Sequence, residues 1–223
     1  MPHDLTAEEV RVLGALVEKG LATPQNYPLT LNALRTACNQ STGRTPVVDY
    51  SDRLIEDALT RLRADGWTRI VYSPANRAPK YRHVLDERLV LDDAQTAVLG
   101  VLLLRGPQTV GEIKSRTERM HAFGTIAEVD EALRSLSGPY ASREEGLVVR
   151  LAPRPGQKEA RWAHLLSGEP VEVADLTVAF APTRSGERRD DRVAALEAEL
   201  AEVRDHLAAL RAEFDAFRAD LGG

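Results

Sequence analysis

Apolar residues recur at helical spacing in two stretches of the chain that resemble one another. The run VLGAL at 12–16 is echoed by VLGVL at 98–102. These patterns predict helices over residues 7–20 and 93–106, and a T-x-x-E capping box at 6–9 opens the first of them. An internal repeat of this kind predicts two copies of one small fold.

A second and a third helix are predicted after each of these first helices. The second helices cover 29–39 and 109–120, where the apolar residues form a single stripe. The third helices follow Ser51 and Thr125, which are both favourable N-cap residues, and each ends at a glycine. Both copies of the repeat therefore begin with three helices.

Short β-branched and aromatic runs come after each third helix. In the first copy the runs are WTRIVY at 67–72 and KYRHVL at 80–85, with a turn-rich segment between them. In the second copy they are LVVRL at 147–151 and ARWAHL at 160–165. Each pair predicts a two-stranded β-hairpin with a longer loop.

Three helices followed by a hairpin is the element order of a winged helix-turn-helix domain. The sequence therefore predicts a mainly α protein with small β-hairpin wings, of the α+β class, with tandem winged domains over residues 1–88 and 89–168. A linker rich in Pro, Gly, Asp and Arg is predicted over 169–190, and a coiled-coil helix over 191–222.

The C-terminal segment carries an uninterrupted heptad pattern. Its apolar residues alternate at spacings of three and four, which is typical of the a and d positions of a coiled coil. In a parallel pair, three of the four g–e′ contacts join opposite charges. We expect a parallel homodimer through this helix, and the alternative is that the stripe packs on the chain's own winged domains. The a and d positions are Val193, Leu196, Leu200, Val203, Leu207, Leu210, Phe214, Phe217 and Leu221.

Net charge differs between the two parts of the chain. The formal charge of the whole chain is -5. Residues 1–168 hold 22 Lys and Arg against 21 Asp and Glu, a net charge of +1, whereas residues 169–223 hold 7 against 13, a net charge of -6. The acidity therefore belongs to the tail, and it does not argue against a nucleic-acid partner for the winged domains.

Composition excludes several classes of protein. Cys38 is the single cysteine, so no internal disulfide and no cysteine-based zinc site are expected. No apolar run approaches the roughly 18 residues that a membrane helix requires. The first ten residues have neither the basic nor the apolar part of a signal peptide. We expect a cytoplasmic protein with no membrane association.

No catalytic constellation is visible in the sequence. The chain has no GxxxxGK[ST] loop, no GxSxG elbow and no HExxH pair, so we expect a non-enzymatic protein without cofactor or metal. His83 and His164 occupy corresponding places in the two hairpins, which favours packing or a hydrogen bond in each rather than metal binding. Cys38 lies on the apolar stripe of its helix and is expected to be a small buried hydrophobe.

Three sequence blocks resemble the YceH-like family of uncharacterised bacterial proteins. They are EKGLATPQNYPLTLNALRTACNQ, LLLRGPQTVGEIKSRTERMHAF and PGQKEARWAHLLSG, in order and at the expected spacing over residues 5–168. The resemblance implies tandem winged helices. It implies no activity, and the matched positions in these blocks, Arg105, Arg116, Gln157 and Arg161 among them, carry no known role.

Basic side chains gather on the predicted wings and near the second helix of the second copy. Residues 67–82 hold four basic residues and no acid. Such a rim can hold DNA phosphates, and the alternative is that these are ordinary solvated side chains on exposed strands. The candidate nucleic-acid-binding residues are Arg44, Arg53, Thr60, Arg69, Arg77, Lys80, Arg82, Lys114, Arg116, Arg119, Lys158 and Arg161.

Carboxylates on the predicted third helices oppose DNA binding. The outer faces present Glu56 and Asp57 in the first copy and Asp130 and Glu131 in the second, and these charges repel phosphate. The competing class is a winged-helix protein adaptor of the ScpB type that does not bind DNA directly. We place a DNA-associated, regulator-like role first and the adaptor second.

Overall fold

The computed structural model describes residues 4–72, 78–139, 146–153, 156–157 and 159–170. Within these residues the protein is of the mixed α+β class, with seven α-helices and two small antiparallel sheets, and about half of the residues are helical. The predicted coiled-coil helix over 191–222 and nearly all of the predicted linker over 169–190 lie outside the described residues.

The first repeat has the predicted three helices and hairpin. The capping box at its start is present, since the Thr6 hydroxyl accepts the Glu9 amide and the Glu9 carboxylate accepts the Thr6 amide at 2.8 Å. Ser51 caps the third helix by accepting the amide of Leu54. The elements are α1 (Ala7–Ala22), β1 (Leu29–Thr30), α2 (Leu31–Cys38), α3 (Asp52–Ala64), β2 (Thr68–Val71) and β3 (Lys80–His83).

The second repeat follows the same order after a short connecting helix. Its three main helices have Asp92, Thr109 and Thr125 as their N-cap residues, and in each case the side chain of that residue accepts a backbone amide of the first turn. The elements are the connecting helix α4 (Leu85–Leu89), α5 (Asp93–Arg105), α6 (Val110–Thr117), α7 (Ile126–Ser137), β4 (Val148–Leu151) and β5 (Arg161–His164).

Two elements, β1 and α4, were not predicted from the sequence. Strand β1 pairs antiparallel with the free edge of β3 and gives a three-stranded sheet in the order β1-β3-β2. Helix α4 is five residues long and buries Leu85 and Leu89. Neither segment is long enough to show a hydrophobic period, so their pairing and packing come from tertiary contacts rather than from a local pattern.

The two repeats share one continuous hydrophobic core in which α1 packs along α5. The glycine of the repeated VLG motif lies at this crossing. A Cβ at Gly14 would stand 2.9 Å from the Cβ of Leu103, and a Cβ at Gly100 would stand 2.9 Å from Cγ1 of Val17. Glycine is required at both places because a side chain would force the helices apart. The two contacts correspond, since Gly14 matches Gly100 and Val17 matches Leu103 in the repeat.

Candidate functional site

Helix α3 leaves one polar face uncovered. It buries Ile55, Ala58, Leu59 and Leu62 against the core, and its opposite face is exposed. The predicted candidates on α3 are both on that exposed face. The hydroxyl of Thr60 donates to the carbonyl of Glu56 at 2.8 Å, and this local bond fixes its orientation. The exposed face presents Arg53, Glu56, Asp57, Thr60 and Arg63.

Two of the predicted basic side chains on the β2–β3 hairpin are paired within the chain. Arg69 and Arg82 both donate to the carboxylate of Glu87 on α4, at 3.1 and 2.5 Å. The hydrogen bond from Arg82 lowers the pKa of Glu87, and the charges of Arg82 and Arg69 add to that effect. The sheet is therefore less positive than its sequence suggests, because α4 supplies an acid that balances part of its charge.

Two further candidates are unpaired in this part of the surface. Within the described residues, neither Arg53 on α3 nor Lys80 on β3 has a carboxylate partner. Arg77, which was predicted to lie between the two strands, falls outside the described residues. Arg53 and Lys80 are therefore the two predicted candidates of the first repeat that, within the described residues, are not balanced by a carboxylate.

The corresponding surface of the second repeat is more acidic. Arg134 on α7 is paired with Asp130 one turn away, and Glu131 beside them is exposed. Of the candidates that precede α7, Lys114 is half-buried and Arg119 is exposed. The outer face of α7 thus offers little net positive charge to a phosphate backbone.

Arg116 and Arg161 lie in a groove at the junction of the two repeats, together with Arg105. The groove has a volume of about 620 Å³ and is lined by the end of α5, by α6, by β5 and by Thr45 of the first repeat. Lys158, predicted near this region, falls outside the described residues. Three guanidinium groups from three separate elements therefore share one concave surface.

Arg105 is the residue of this groove that the sequence did not single out for binding. Partial burial lowers its pKa, and the cations Arg116 and Arg44 lower it further, against smaller opposing effects from Glu18 and Glu112. Among the described residues, the Arg105 guanidinium has no hydrogen-bond or ion-pair partner. Its position at the end of a helix is common for basic residues, so no local signal distinguishes it.

Arg44 is placed in the interior rather than on the surface. Its side chain is fully buried, and its terminal nitrogens hold the carboxylate of Glu18 at 3.0 and 2.6 Å. Its Nε donates to the carbonyl of Ala37 at 3.0 Å. These bonds give Arg44 a structural role in anchoring the loop before α3, so we leave it out of the proposed interface.

The two hairpin histidines lie at equivalent register positions, His83 opposite Thr68 and His164 opposite Val148. Burial lowers the pKa of His164 to about 4, and its Nδ1 is buried without a hydrogen-bond partner. Burial also lowers the pKa of His83, against the opposing charge of Asp86, whose Oδ1 lies 3.2 Å from its Nδ1. Both imidazoles are thus held in a largely buried environment.

Cys38 is buried on α2, and burial raises the pKa of its thiol to about 12. In the described part of the chain, no three His, Cys, Asp or Glu side chains are grouped so that they could hold a metal ion. Across the same residues, no helix has the length and apolar character needed to cross a membrane.

Comparison of the sequence with known proteins shows the family of the chain. Residues 5–157 match the family model described as "Protein of unknown function, DUF480". The chain belongs to the DUF480 family. A UPF0502 protein of Geobacter sulfurreducens is 47% identical over 197 residues, covering 86% of this chain and 87% of its own length. The UPF0502 protein YceH of Salmonella paratyphi B is 42% identical over 217 residues, covering 95% of this chain and 98% of its own length.

The similarity within the DUF480 family extends past the residues that carried the first resemblance. A UPF0502 protein of Geotalea uraniireducens is 44% identical over 225 residues and covers 98% of this chain and 99% of its own length. The resemblance of the three sequence blocks reached only residue 168. The alignment therefore includes the C-terminal segment that carries the heptad pattern.

Proposed function

We propose that this protein is a non-enzymatic, cytoplasmic, DNA-associated protein built from two tandem winged helix-turn-helix domains. The observation that carries the proposal is the uncovered outer face of α3. A helix that reads a DNA groove must bury one face in its own domain and leave the other free. Helix α3 meets this requirement, because its apolar stripe is in the core and its polar face is exposed.

The unpaired cations Arg53, on this face, and Lys80, on the hairpin, support contact with phosphates. Arg53 lies near the start of α3, and Lys80 begins β3, the second strand of the hairpin that follows α3. Arg69 and Arg82 add charge only if they exchange Glu87 for a phosphate, which makes their contribution smaller. Phosphate contacts of this kind supply affinity and position a reading helix, but they do not select a sequence.

A salt titration with matched variants tests the proposal. We expect the full chain to bind a duplex with an affinity that falls steeply with salt, since each neutralised phosphate contributes about 0.9 to the slope of log K against log salt. Replacing Arg53 and Lys80 by glutamine should therefore reduce that slope by about two units. Fluorescence anisotropy of a labelled duplex measures both quantities.

Arg134→Gln is the control for this titration. It removes an exposed cation from α7, where Asp130 already balances the charge, and it should leave the slope unchanged. Absence of duplex binding at low salt, or an equal loss of slope per charge in the control, would contradict DNA binding through the first repeat.

A protein adaptor without direct DNA binding remains the second candidate, and one observation favours it. The start of α7 exposes the apolar side chain of Ile126 to 57%, next to the acidic face that contains Glu131. An exposed apolar residue beside carboxylates suits a basic protein surface better than it suits DNA. If the full chain stays monodisperse and does not bind duplex DNA at any salt concentration, the second candidate is favoured.

We also propose that two chains pair through the heptad positions of the C-terminal segment in parallel. The support is the sequence pattern of residues 193–221 and its complementary e and g charges. Pairing in this way would bring two α3 helices into one particle, one from each chain, as in dimeric helix-turn-helix proteins.

A further inference from the structure

The groove at the junction of the repeats holds more cations than its carboxylates can balance. Arg105, Arg116 and Arg161 line it against Glu112 and Glu159. Glu112 is already engaged twice, because one oxygen accepts Arg116 at 3.0 Å and the other accepts the N-cap amide of α6 at 2.9 Å. At least one of the three guanidinium groups therefore has no carboxylate of the groove as its hydrogen-bond acceptor.

The guanidinium without a carboxylate acceptor is that of Arg105. Among the described residues it has no hydrogen-bond or ion-pair partner, although it is half-buried. It also packs against the backbone at Gly43, where a Cβ would lie 3.0 Å from its Nη2. A cation drawn partly from water and held beside other cations is stabilised when an anion supplies the missing acceptors.

We propose that this groove binds a small molecule through an oxyanion, a phosphate or a carboxylate, held between Arg105, Arg116 and Arg161. The planar guanidinium fork matches the oxygens of either group and can donate two bonds to it. The groove volume of about 620 Å³ lies within the roughly 300–1,000 Å³ of small-molecule sites. This site goes beyond the proposed DNA-associated function and does not depend on it.

A small anion fits the groove better than a duplex does. The three arginines come from α5, α6 and β5 and line one groove, whose volume suits a small ligand. Glu112 and Glu159 would repel the many phosphates of a duplex that passed along the groove. The three arginines outnumber these two carboxylates, so the lining keeps a net positive charge that attracts a single oxyanion. The groove also touches Thr45 of the first repeat, so a ligand here would contact both repeats.

Calorimetric titration of the full chain with inorganic pyrophosphate and with citrate tests the site, at an ionic strength matched with sodium chloride. We expect saturable binding of at least one of the two. Arg105→Gln should weaken it by about ten-fold or more, since a hydrogen bond to a charged group is lost. Arg150→Gln on the exposed face of β4 is the control and should bind as the wild type does.

A second variant separates loss of the site from loss of the fold. Arg161→Lys keeps the charge on β5 but removes the bidentate fork, so it should also weaken binding while the thermal midpoint of the free protein stays unchanged. The absence of saturable binding of both anions, or an equal loss in Arg105→Gln and Arg150→Gln, would overturn the proposal.

A duplex competitor distinguishes this site from the proposed DNA surface. If a duplex displaces pyrophosphate at matched ionic strength, the groove is a DNA contact and the small-molecule proposal fails, while DNA association stands. If duplex binding is absent and pyrophosphate still binds through Arg105, the small-molecule site stands and the DNA proposal fails.

Discussion

Replacement of Arg44 by methionine removes a buried cation together with all its hydrogen bonds. The side chain is fully buried, and it holds the carboxylate of Glu18 at 3.0 and 2.6 Å and the carbonyl of Ala37 at 3.0 Å. Methionine keeps a linear apolar chain in the same space. The change therefore removes charge and donors while it retains much of the packing.

Breaking a buried ion pair from one side costs about 3–5 kcal/mol, because the other charge stays buried without compensation. The Glu18 side chain keeps 21% exposure and has a second cation, Lys19, at 3.1 Å. We therefore expect a loss of about 3 kcal/mol in the free energy of unfolding, at the lower end of that range. In a folded unit of this size, such a loss lowers Tm by roughly 6–12 °C.

Urea unfolding followed by circular dichroism measures this loss, and Arg35→Met is the matched control. Arg35 pairs with Asp52 at 3.4 Å, but the two side chains are 43% and 51% exposed. An exposed pair contributes at most about 1 kcal/mol. A loss in Arg44→Met no larger than in the control would refute the structural role of Arg44. If its DNA affinity fell while its stability held, Arg44 would be a phosphate contact instead.

The same variant should change how stability depends on pH. Burial raises the pKa of Glu18, but hydrogen bonds and charge from Arg44, aided by Lys19, outweigh burial and leave the pKa below its ordinary value. Such a carboxyl contributes stability above its unfolded pKa of about 4.3, and this is lost as pH falls through the folded pKa. Without Arg44, only Lys19 opposes the effect of burial on the pKa of Glu18, so the loss of stability should be largest near neutrality and shrink towards about pH 4. A loss that is constant with pH would contradict this.

Two further predictions concern the tail and the thiol. Leu200→Asp at a core heptad position should convert a dimer of the full chain to a monomer in analytical ultracentrifugation, whereas Ala208→Asp at an outer position should leave the dimer intact. If both variants remain dimeric, pairing through the heptad positions is contradicted. Cys38, whose pKa burial raises to about 12, should not react with a thiol reagent in the native protein at mildly alkaline pH and should react once it is unfolded. Fast reaction of the folded chain would show that α2 opens readily.

Local signals were enough to predict the main helices and the hairpins. Thr6, Ser51 and Thr125 each satisfy the amides of the turn that follows, and each lies in a sequence that also places apolar residues on one face. Capping and periodicity depend on residues only three or four positions apart. The structure therefore confirms these elements close to their predicted bounds.

Partners that are distant in sequence could not be predicted in this way. Periodicity gives the buried face of α3, but it does not reveal that Glu87 on the unpredicted helix α4 binds Arg69 and Arg82. Arg44 lies in a polar loop, and no nearby residue indicates that the loop closes over Glu18. Arg105 and Arg161 line the same groove only because tertiary folding brings α5 and β5 together. The charge available on the surface thus depends on contacts that the local pattern does not contain.

The crossing of α1 and α5 at Gly14 and Gly100 determines whether the two repeats can separate when the protein is diluted. The matched contacts of this crossing have the reciprocal form of a two-fold interface between identical subunits, but here both halves belong to one chain. A separate dimer dissociates on dilution, whereas covalently joined halves do not. The α3 and α7 faces therefore stay on one folded unit at any dilution.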